Sequence, residues 1–173
     1  RRSLIQKSGA RFVDLAEIGS YEDGFFNLEV FGKADRVVYL PAYLYHNRRD
    51  GSSSVTSGYN PRLYDQWQTL YDRMEAIIRS NQLGSEYEAA LNNRIALGIL
   101  GLGLNITVST QSMGKKVKDI HRIIRQERYR KAYKNLPLNY FPIHWKLFYG
   151  CAKHGFAFGV YVLLTVIQRI ISR

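Results

Sequence analysis

Two adjacent carboxylates, Glu22 and Asp23, are the first residues in this chain whose types could carry out catalysis. They precede a hydrophobic run that predicts a short helix, from about residue 23 to residue 33. A carboxylate held at the start of a helix can accept the proton of a hydroxyl group as that hydroxyl becomes a nucleophile. Taken alone, however, the pair is most simply an N-cap with an acidic neighbour, which the positive end of the helix dipole favours.

A second polar group contains His46, Arg48 and Arg49 and lies beside a loop of small polar residues, 50–58. Guanidinium groups can stabilise the negative charge that develops on a leaving group, and such a loop could close over it and exclude water. The simpler interpretation is a structural histidine and two solvated arginines. The composition of the loop predicts that it is poorly ordered without a ligand.

The positive charge of the chain is concentrated in its last third. Residues 1–114 contain 12 basic and 12 acidic residues, whereas residues 115–173 contain 13 basic residues against Asp119 and Glu127, so this segment holds the whole net charge of +11. This distribution indicates an anionic partner, either a membrane surface or a nucleic acid. The single cysteine, Cys151, cannot form an internal disulfide, which favours a reducing compartment.

The elements that position these residues change in character near residue 58. Residues 36–40 and 43–48 are rich in β-branched and aromatic residues and predict two strands, so residues 1–58 are expected to be mixed α/β. Residues 59–173 are expected to be entirely helical, because apolar side chains recur at helical spacing. The predicted helices begin near residue 63, at a Ser85-x-x-Glu88 capping box, near residue 115, and at Pro142, and the third is a single helix that runs to about residue 134.

The last helical segment includes an apolar stretch at 155–167, which at 13 residues is shorter than the roughly 20 that a membrane span requires. Basic residues surround it, and Trp145, Phe148 and Tyr149 precede it. This mixture predicts helices that lie in the interface of a bilayer. Two alternatives stay open: an ordinary pair of packed helices, and a helical module that binds nucleic acid, which is the less favoured partner.

Several motifs follow one another in the first 58 residues: Arg1-Arg2-Ser3-Leu4-Ile5, Gly9-Ala10-Arg11-Phe12, Tyr21-Glu22-Asp23-Gly24-Phe25-Phe26-Asn27, Arg36-Val37-Val38-Tyr39, Leu44-Tyr45-His46-Asn47-Arg48-Arg49 and Ser52-Ser53-Ser54. In this order they resemble the second half of the catalytic domain of bacterial family-two glycosyltransferases. The resemblance continues more loosely through 113–173, where a basic and aromatic tail looks like that of members acting on membrane-bound acceptors.

The resemblance implies the α/β end of a GT-A catalytic domain in residues 1–58, followed by an all-helical C-terminal region in 59–173, mainly α overall. It implies that Asp23 is the general base, that Glu22 supports it, and that His46, Arg48 and Arg49 lie near the donor diphosphate and a divalent metal, Mg or Mn, with His46 a metal-ligand candidate. The implied reaction is inverting transfer from a nucleotide-sugar to a saccharide or lipid-linked acceptor during synthesis of a capsule or exopolysaccharide.

The amino-terminal half that the resemblance implies, with the nucleotide site and the main metal motif, lies outside this chain. We therefore expect a fragment that is inactive by itself, from an enzyme located in the cytoplasm and peripheral on the inner face of the cell membrane. Two other classes of function stay open at this point. The chain could be a non-catalytic basic helical module that binds membrane or nucleic acid, or a helical scaffold from a relative of the transferases.

Overall fold

The computed structural model describes residues 2–45 and 58–171, and all regular secondary structure in those residues is helical. Three short helices come first: α1 (Arg2–Ser8), α2 (Leu15–Ile18) and α3 (Glu22–Phe31). Two long helices follow, α4 (Leu63–Ser80) and α5 (Ser85–Thr107). The last third forms α6 (Met113–Arg125), α7 (Glu127–Asn135), a 3-10 turn at Leu138–Tyr140, α8 (Ile143–His154) and α9 (Ala157–Ile171).

The predicted α/β end of a GT-A domain is wrong for the described residues, because they contain neither strand nor sheet. Val38 and Tyr39, at the centre of the first predicted strand, are 72% and 86% exposed, and Tyr43–Tyr45 of the second is also exposed. A strand is stable only when a neighbouring strand satisfies its backbone groups. The described residues provide no such neighbouring strand, so the β propensity of these two runs is not enough to form a sheet.

Helix α5 lies at the centre of the fold and packs against α4, α6, α7 and α9. The helical stripe predicted on α4 is confirmed, since Trp67, Leu70, Tyr71, Met74 and Ile78 are all buried. The same hydrophobic cluster includes Ile18 and Phe25, so α2 and α3 are fixed to the core through α4. The start of α5 at residue 85 agrees with the sequence, but its N-cap is Gly84 and no side chain caps it.

The single helix predicted for about 115–134 is two helices, because the chain is extended at Gln126 (φ −58°, ψ 142°) between α6 and α7. The break directs Tyr129 and Tyr133 of α7 into the core, where both are buried. Arg128 joins α7 to α4 by ion pairs with Asp72 and, at 3.4 Å, with Glu75. Arg128, one of the basic residues of the last third, therefore stabilises the packing of two helices.

The aromatic residues at the start of the tail do not all face outward. Phe148 and Tyr149 on α8 are buried, and Trp145 packs edge-on against Phe148 with ring centroids 5.9 Å apart. These two aromatics fill the space between α8 and the neighbouring helices, so they do not add to the exposed surface of the tail, and its location in a bilayer interface stays a prediction. Gly155 (φ 76°) then ends α8 in the left-handed conformation that glycine adopts without strain.

Candidate functional site

Helix α2 and the turn after it are tied to the start of α4 by side-chain hydrogen bonds. The carbonyl oxygen of Ala16 accepts from Arg62 Nη2 and from Gln66 Nε2, each at 2.9 Å. The indole Nε1 of Trp67 donates to Ser20 Oγ at 3.1 Å. These bonds fix the backbone immediately before the Glu22–Asp23 pair, so the carboxylates are presented from a braced turn.

Gly19 makes this close approach possible. Its φ of 76° lies in the left-handed region, where a side chain is strained. A Cβ atom at this position would also lie 2.8 Å from Gln66 Oε1 and 2.9 Å from Leu63 Cδ1. The sequence needs glycine here both for the backbone conformation and for contact with α4.

Tyr21 adopts a left-handed conformation (φ 68°, ψ 28°) although it is not glycine. Its ring packs against Trp67 at a centroid distance of 5.3 Å, and the guanidinium carbon of Arg94 lies 3.9 Å from the ring centroid. A left-handed non-glycine residue costs about 1–3 kcal/mol and persists where its surroundings hold it. The cation–π contact and the indole provide that support directly beside the carboxylate pair.

Glu22 and Asp23 occupy the first turn of α3, where the helix dipole favours negative charge. The N-cap is Tyr21, which makes no side-chain capping bond, so the carboxylates are not the N-cap itself. Asp23 is exposed, and its Oδ1 accepts a hydrogen bond from the amide of Gly24 at 2.6 Å. An exposed, oriented carboxylate of this kind can accept a proton from an incoming hydroxyl group.

Two grooves are lined by the residues that flank the carboxylate pair in the sequence, Tyr21 and Gly24. The larger encloses about 670 Å³ and is lined by Tyr21, aromatic and apolar residues of α4 and α5, and Tyr149. The smaller encloses about 180 Å³ and is lined by Gly24 and Leu28 of α3 together with residues of α4 and α5. Arg94 lines both. In the sequence, the two carboxylates therefore lie between a residue that lines the larger groove, Tyr21, and one that lines the smaller groove, Gly24.

Arg94 brings a positive charge to these grooves. No carboxylate within residues 2–45 and 58–171 forms an ion pair with it, and its buried Nε has no hydrogen-bond partner among them. Burial raises the pKa of Tyr71, and the nearby charge of Arg94 offsets part of this rise. Burial, and next Tyr21, raise the pKa of Tyr149 to about 12. The groove thus contains neutral phenols and a cation.

Glu22 and Asp23 are the candidate site residues that fall within the described structure. His46, Arg48, Arg49 and most of the 50–58 loop lie outside it. Across the described ranges, no three His, Cys, Asp or Glu side chains form a group that could hold a metal ion. Among the described residues, the neighbours of the carboxylates line the two grooves, whereas the candidate diphosphate residues lie outside the described structure.

The sequence interpretation missed Trp67, Tyr71 and Arg94 as site residues. The glycines of α5 are the sequence feature that could have indicated Trp67 and Tyr71. A Cβ at Gly98 would lie 2.5 Å from Tyr71 Oη, and one at Gly101 would lie 2.6 Å from Trp67 Cη2. Glycines three residues apart in an apolar helix indicate that large groups approach its backbone closely. Only the three-dimensional structure identifies which groups they are.

A stripe of exposed apolar side chains runs along α9, consisting of Phe158, Val162, Val166 and Ile170. Their spacing of four residues places them on one side of the helix, opposite the buried Val160 and Leu164. Exposed basic residues of the last third include Lys153 and Arg169. We name the four apolar residues the α9 stripe.

Within the described part of the chain, α5 is the one helix long and apolar enough to cross a membrane. The core helix of a soluble protein has the same length and composition, and α5 packs on four other helices. This property therefore does not by itself indicate a membrane span.

Comparison with known proteins identifies a distant relative. A protein of Bacillus subtilis (strain 168) named "Putative glycosyltransferase EpsH" is 31% identical to this chain over 97 residues, which are 56% of the chain and 28% of that protein. The chain thus spans less than a third of this relative's length. No protein-family model and no solved structure matches the chain. The similarity supports glycosyltransferase as the general class.

Proposed function

We propose that this chain is the acceptor-side part of an inverting family-two glycosyltransferase, which transfers a sugar from a nucleotide-sugar donor to a hydroxyl group of a saccharide or lipid-linked acceptor. The product would belong to a cell-surface polysaccharide. The observation that carries the proposal is the exposed Asp23, beside the half-buried Glu22, on a braced helix start whose flanking residues Tyr21 and Gly24 each line a groove. The Bacillus similarity supports the reaction class.

In this proposal Asp23 is the general base. Its carboxylate accepts the proton of the acceptor hydroxyl while the hydroxyl oxygen forms a bond to the anomeric carbon and the bond from that carbon to the nucleoside diphosphate breaks. Glu22, its neighbour in the first turn of α3, orients or supports Asp23. The braced turn supplies the fixed position that such a proton transfer needs.

The donor-binding part of the proposal rests on residues beyond the described structure. His46, Arg48 and Arg49 are proposed to stabilise the departing diphosphate, with the 50–58 loop closing over it. A divalent metal, Mg or Mn, is the cofactor implied for the whole enzyme, but the described residues do not fit a metal site.

The test is turnover of the full-length protein carrying Asp23→Asn. We expect turnover to fall about 100-fold or more while donor affinity stays nearly unchanged, because the amide keeps the shape of the side chain but cannot accept the proton. Asp35→Asn, at an exposed carboxylate after α3, is the matched control and should leave turnover unchanged. Near-normal turnover of the Asp23 variant would exclude Asp23 as the base.

We also propose that residues 115–173 hold the protein on the cytoplasmic face of an anionic membrane, where the acceptor is lipid-linked. The α9 stripe would insert among the lipid headgroups. Basic residues near an anionic surface contribute about 1 kcal/mol each and are screened by salt, whereas buried apolar area is not. Binding should therefore weaken but persist as ionic strength rises.

Sedimentation with vesicles of phosphatidylcholine, alone or mixed with phosphatidylglycerol, tests the membrane proposal. We expect more protein to sediment with the anionic vesicles at low salt. A variant with Phe158→Ser and Val162→Ser should lose the salt-resistant part of binding, whereas Val38→Ser, at an exposed valine outside the basic third, should keep it. If equal amounts of protein sedimented with both vesicle types at low salt, the membrane proposal would be refuted and the α9 stripe would be an ordinary exposed surface.

A further inference from the structure

The larger groove, which Tyr21 lines, combines aromatic side chains with a cation that lacks a carboxylate partner among the described residues. We propose that this groove binds the sugar ring of an acceptor that carries an anionic group, a phosphate or a carboxylate, and that Arg94 binds this group. This inference rests on the proposed function, because it names the acceptor class of the same site.

The shape and lining of the groove suit a sugar ring. Its volume of about 670 Å³ lies in the usual range for small-molecule sites, which are mostly apolar and aromatic with a few polar groups. Tyr21 and Leu97 keep exposed surface at its edge, while the deeper Trp67 and Tyr71 are fixed by the core. The amide of Asn93 can both donate and accept hydrogen bonds with hydroxyl groups.

Arg94 gives the groove its selectivity for negative charge. Its guanidinium lies over the ring of Tyr21, and its Nε is buried without a hydrogen-bond partner among the described residues. A partly buried cation with no counterion is costly, and an anionic ligand would offset that cost. The planar guanidinium also matches the two oxygens of a phosphate or carboxylate in a bidentate pair.

Tyr21 connects the groove to the proposed base in the sequence. Tyr21 lines the groove and directly precedes Glu22 and Asp23, and Gly24 after them lines the smaller groove. A ring held against Tyr21 would therefore contact a residue two positions before the proposed proton acceptor. Arg94 touches both grooves and can hold the anion while the ring presents a hydroxyl group.

Calorimetric titration of the intact protein tests the ligand class directly. The ligands are glucose 1-phosphate, glucuronate, methyl glucoside and inorganic phosphate, each without donor. We expect at least one of the two anionic sugars to bind about 10-fold or more tightly than both methyl glucoside and inorganic phosphate, as a charge-assisted bidentate contact added to ring packing allows. Which of the two binds identifies phosphate or carboxylate as the anionic group.

Substitution at Arg94 assigns that binding to the groove. Arg94→Gln should remove the preference for the anionic sugar, Arg94→Lys should retain part of it, and Arg130→Gln, at an exposed arginine on α7, should leave it intact. A preference that survives in Arg94→Gln would overturn the proposal, and so would equal affinity for methyl glucoside and the anionic sugars. The comparison of ligands needs no substitution, so it decides the question if Arg94→Gln prevents folding.

The two proposals fail separately, because binding is measured without donor or turnover. Normal turnover of Asp23→Asn together with selective binding of an anionic sugar would refute the assigned base but not the groove. Loss of turnover in Asp23→Asn together with unselective binding would refute the groove but not the base.

Discussion

Replacement of Gly101 by alanine should destabilise the protein although it adds a better helix former to α5. A Cβ at this position would lie 2.6 Å from Cη2 of Trp67 and 3.4 Å from its Cζ3. The indole cannot easily withdraw, because it is buried and its Nε1 donates to Ser20 Oγ. The variant must therefore displace either the indole or the backbone of α5.

The expected magnitude follows from three contributions. Overpacking of a well-packed core costs about 1–3 kcal/mol, and the loss of the bond to Ser20 costs about 1 kcal/mol. Replacement of glycine by alanine in a helix interior stabilises the folded state by about 1 kcal/mol. The free energy of unfolding should therefore fall by about 1–3 kcal/mol, which lowers Tm by about 2–4 °C for each kcal/mol in a chain of this size.

Gly150→Ala is the matched control, because Gly150 lies inside α8 and a Cβ added there would have no atom within 4 Å. It should raise the free energy of unfolding by up to about 1 kcal/mol. Urea and thermal unfolding of both variants measure the two values. If Gly101→Ala stabilised the protein as much as Gly150→Ala does, the close packing of Trp67 on α5 would be refuted.

Two further changes test the turn and the buried phenols. Gly19→Ala should lower the free energy of unfolding by about 1–3 kcal/mol and reduce turnover of the full-length protein at temperatures where it stays folded, since the new methyl contacts Gln66 and Leu63. Gly9→Ala is the control for backbone strain alone, because Gly9 has a φ of 70° and open space around it. Equal effects of the two substitutions in urea unfolding would contradict a role for the contacts with Gln66 and Leu63. Because burial raises the pKa of Tyr149 from 10 to about 12, the folded state keeps this proton when the unfolded state has lost it. Its stabilisation is therefore complete below pH 10 and is lost as the pH rises to about 12. Tyr149→Phe should make the free energy of unfolding less steep over that interval, whereas Tyr140→Phe, at an exposed tyrosine, should not; an unchanged slope in Tyr149→Phe would count against the shift.

The helices with a strong apolar period could be predicted from the sequence. The stripe on α4 depends on residues close together in the chain, so local spacing is enough to reveal it. The break at Gln126 carries no glycine or proline signal, and it follows from packing, because α7 must direct Tyr129 and Tyr133 into the core. The two strands were predicted from propensity alone, which does not say whether a partner strand exists.

The candidate site shows the same division. Glu22 and Asp23 are adjacent in the sequence, and their place at a helix start follows from the hydrophobic run after them. The groove is formed by Tyr21, α4 and α5, which are far apart in the sequence. Local sequence patterns therefore do not reveal that these elements are in contact. Arg94 is one of several arginines in the sequence, and only its position over Tyr21 singles it out.

The exposed run after α3 has a consequence for the colloidal behaviour of the protein. Residues 37–45 contain no charged side chain, and the net charge of +11 lies in the distant last third, so electrostatic repulsion protects this run little. Pro41 divides it into two segments of four residues, each shorter than the five to seven residues that favour β-aggregation. Pro41 therefore acts as a gatekeeper, and light scattering should show that Pro41→Val associates at lower concentration than the unsubstituted protein.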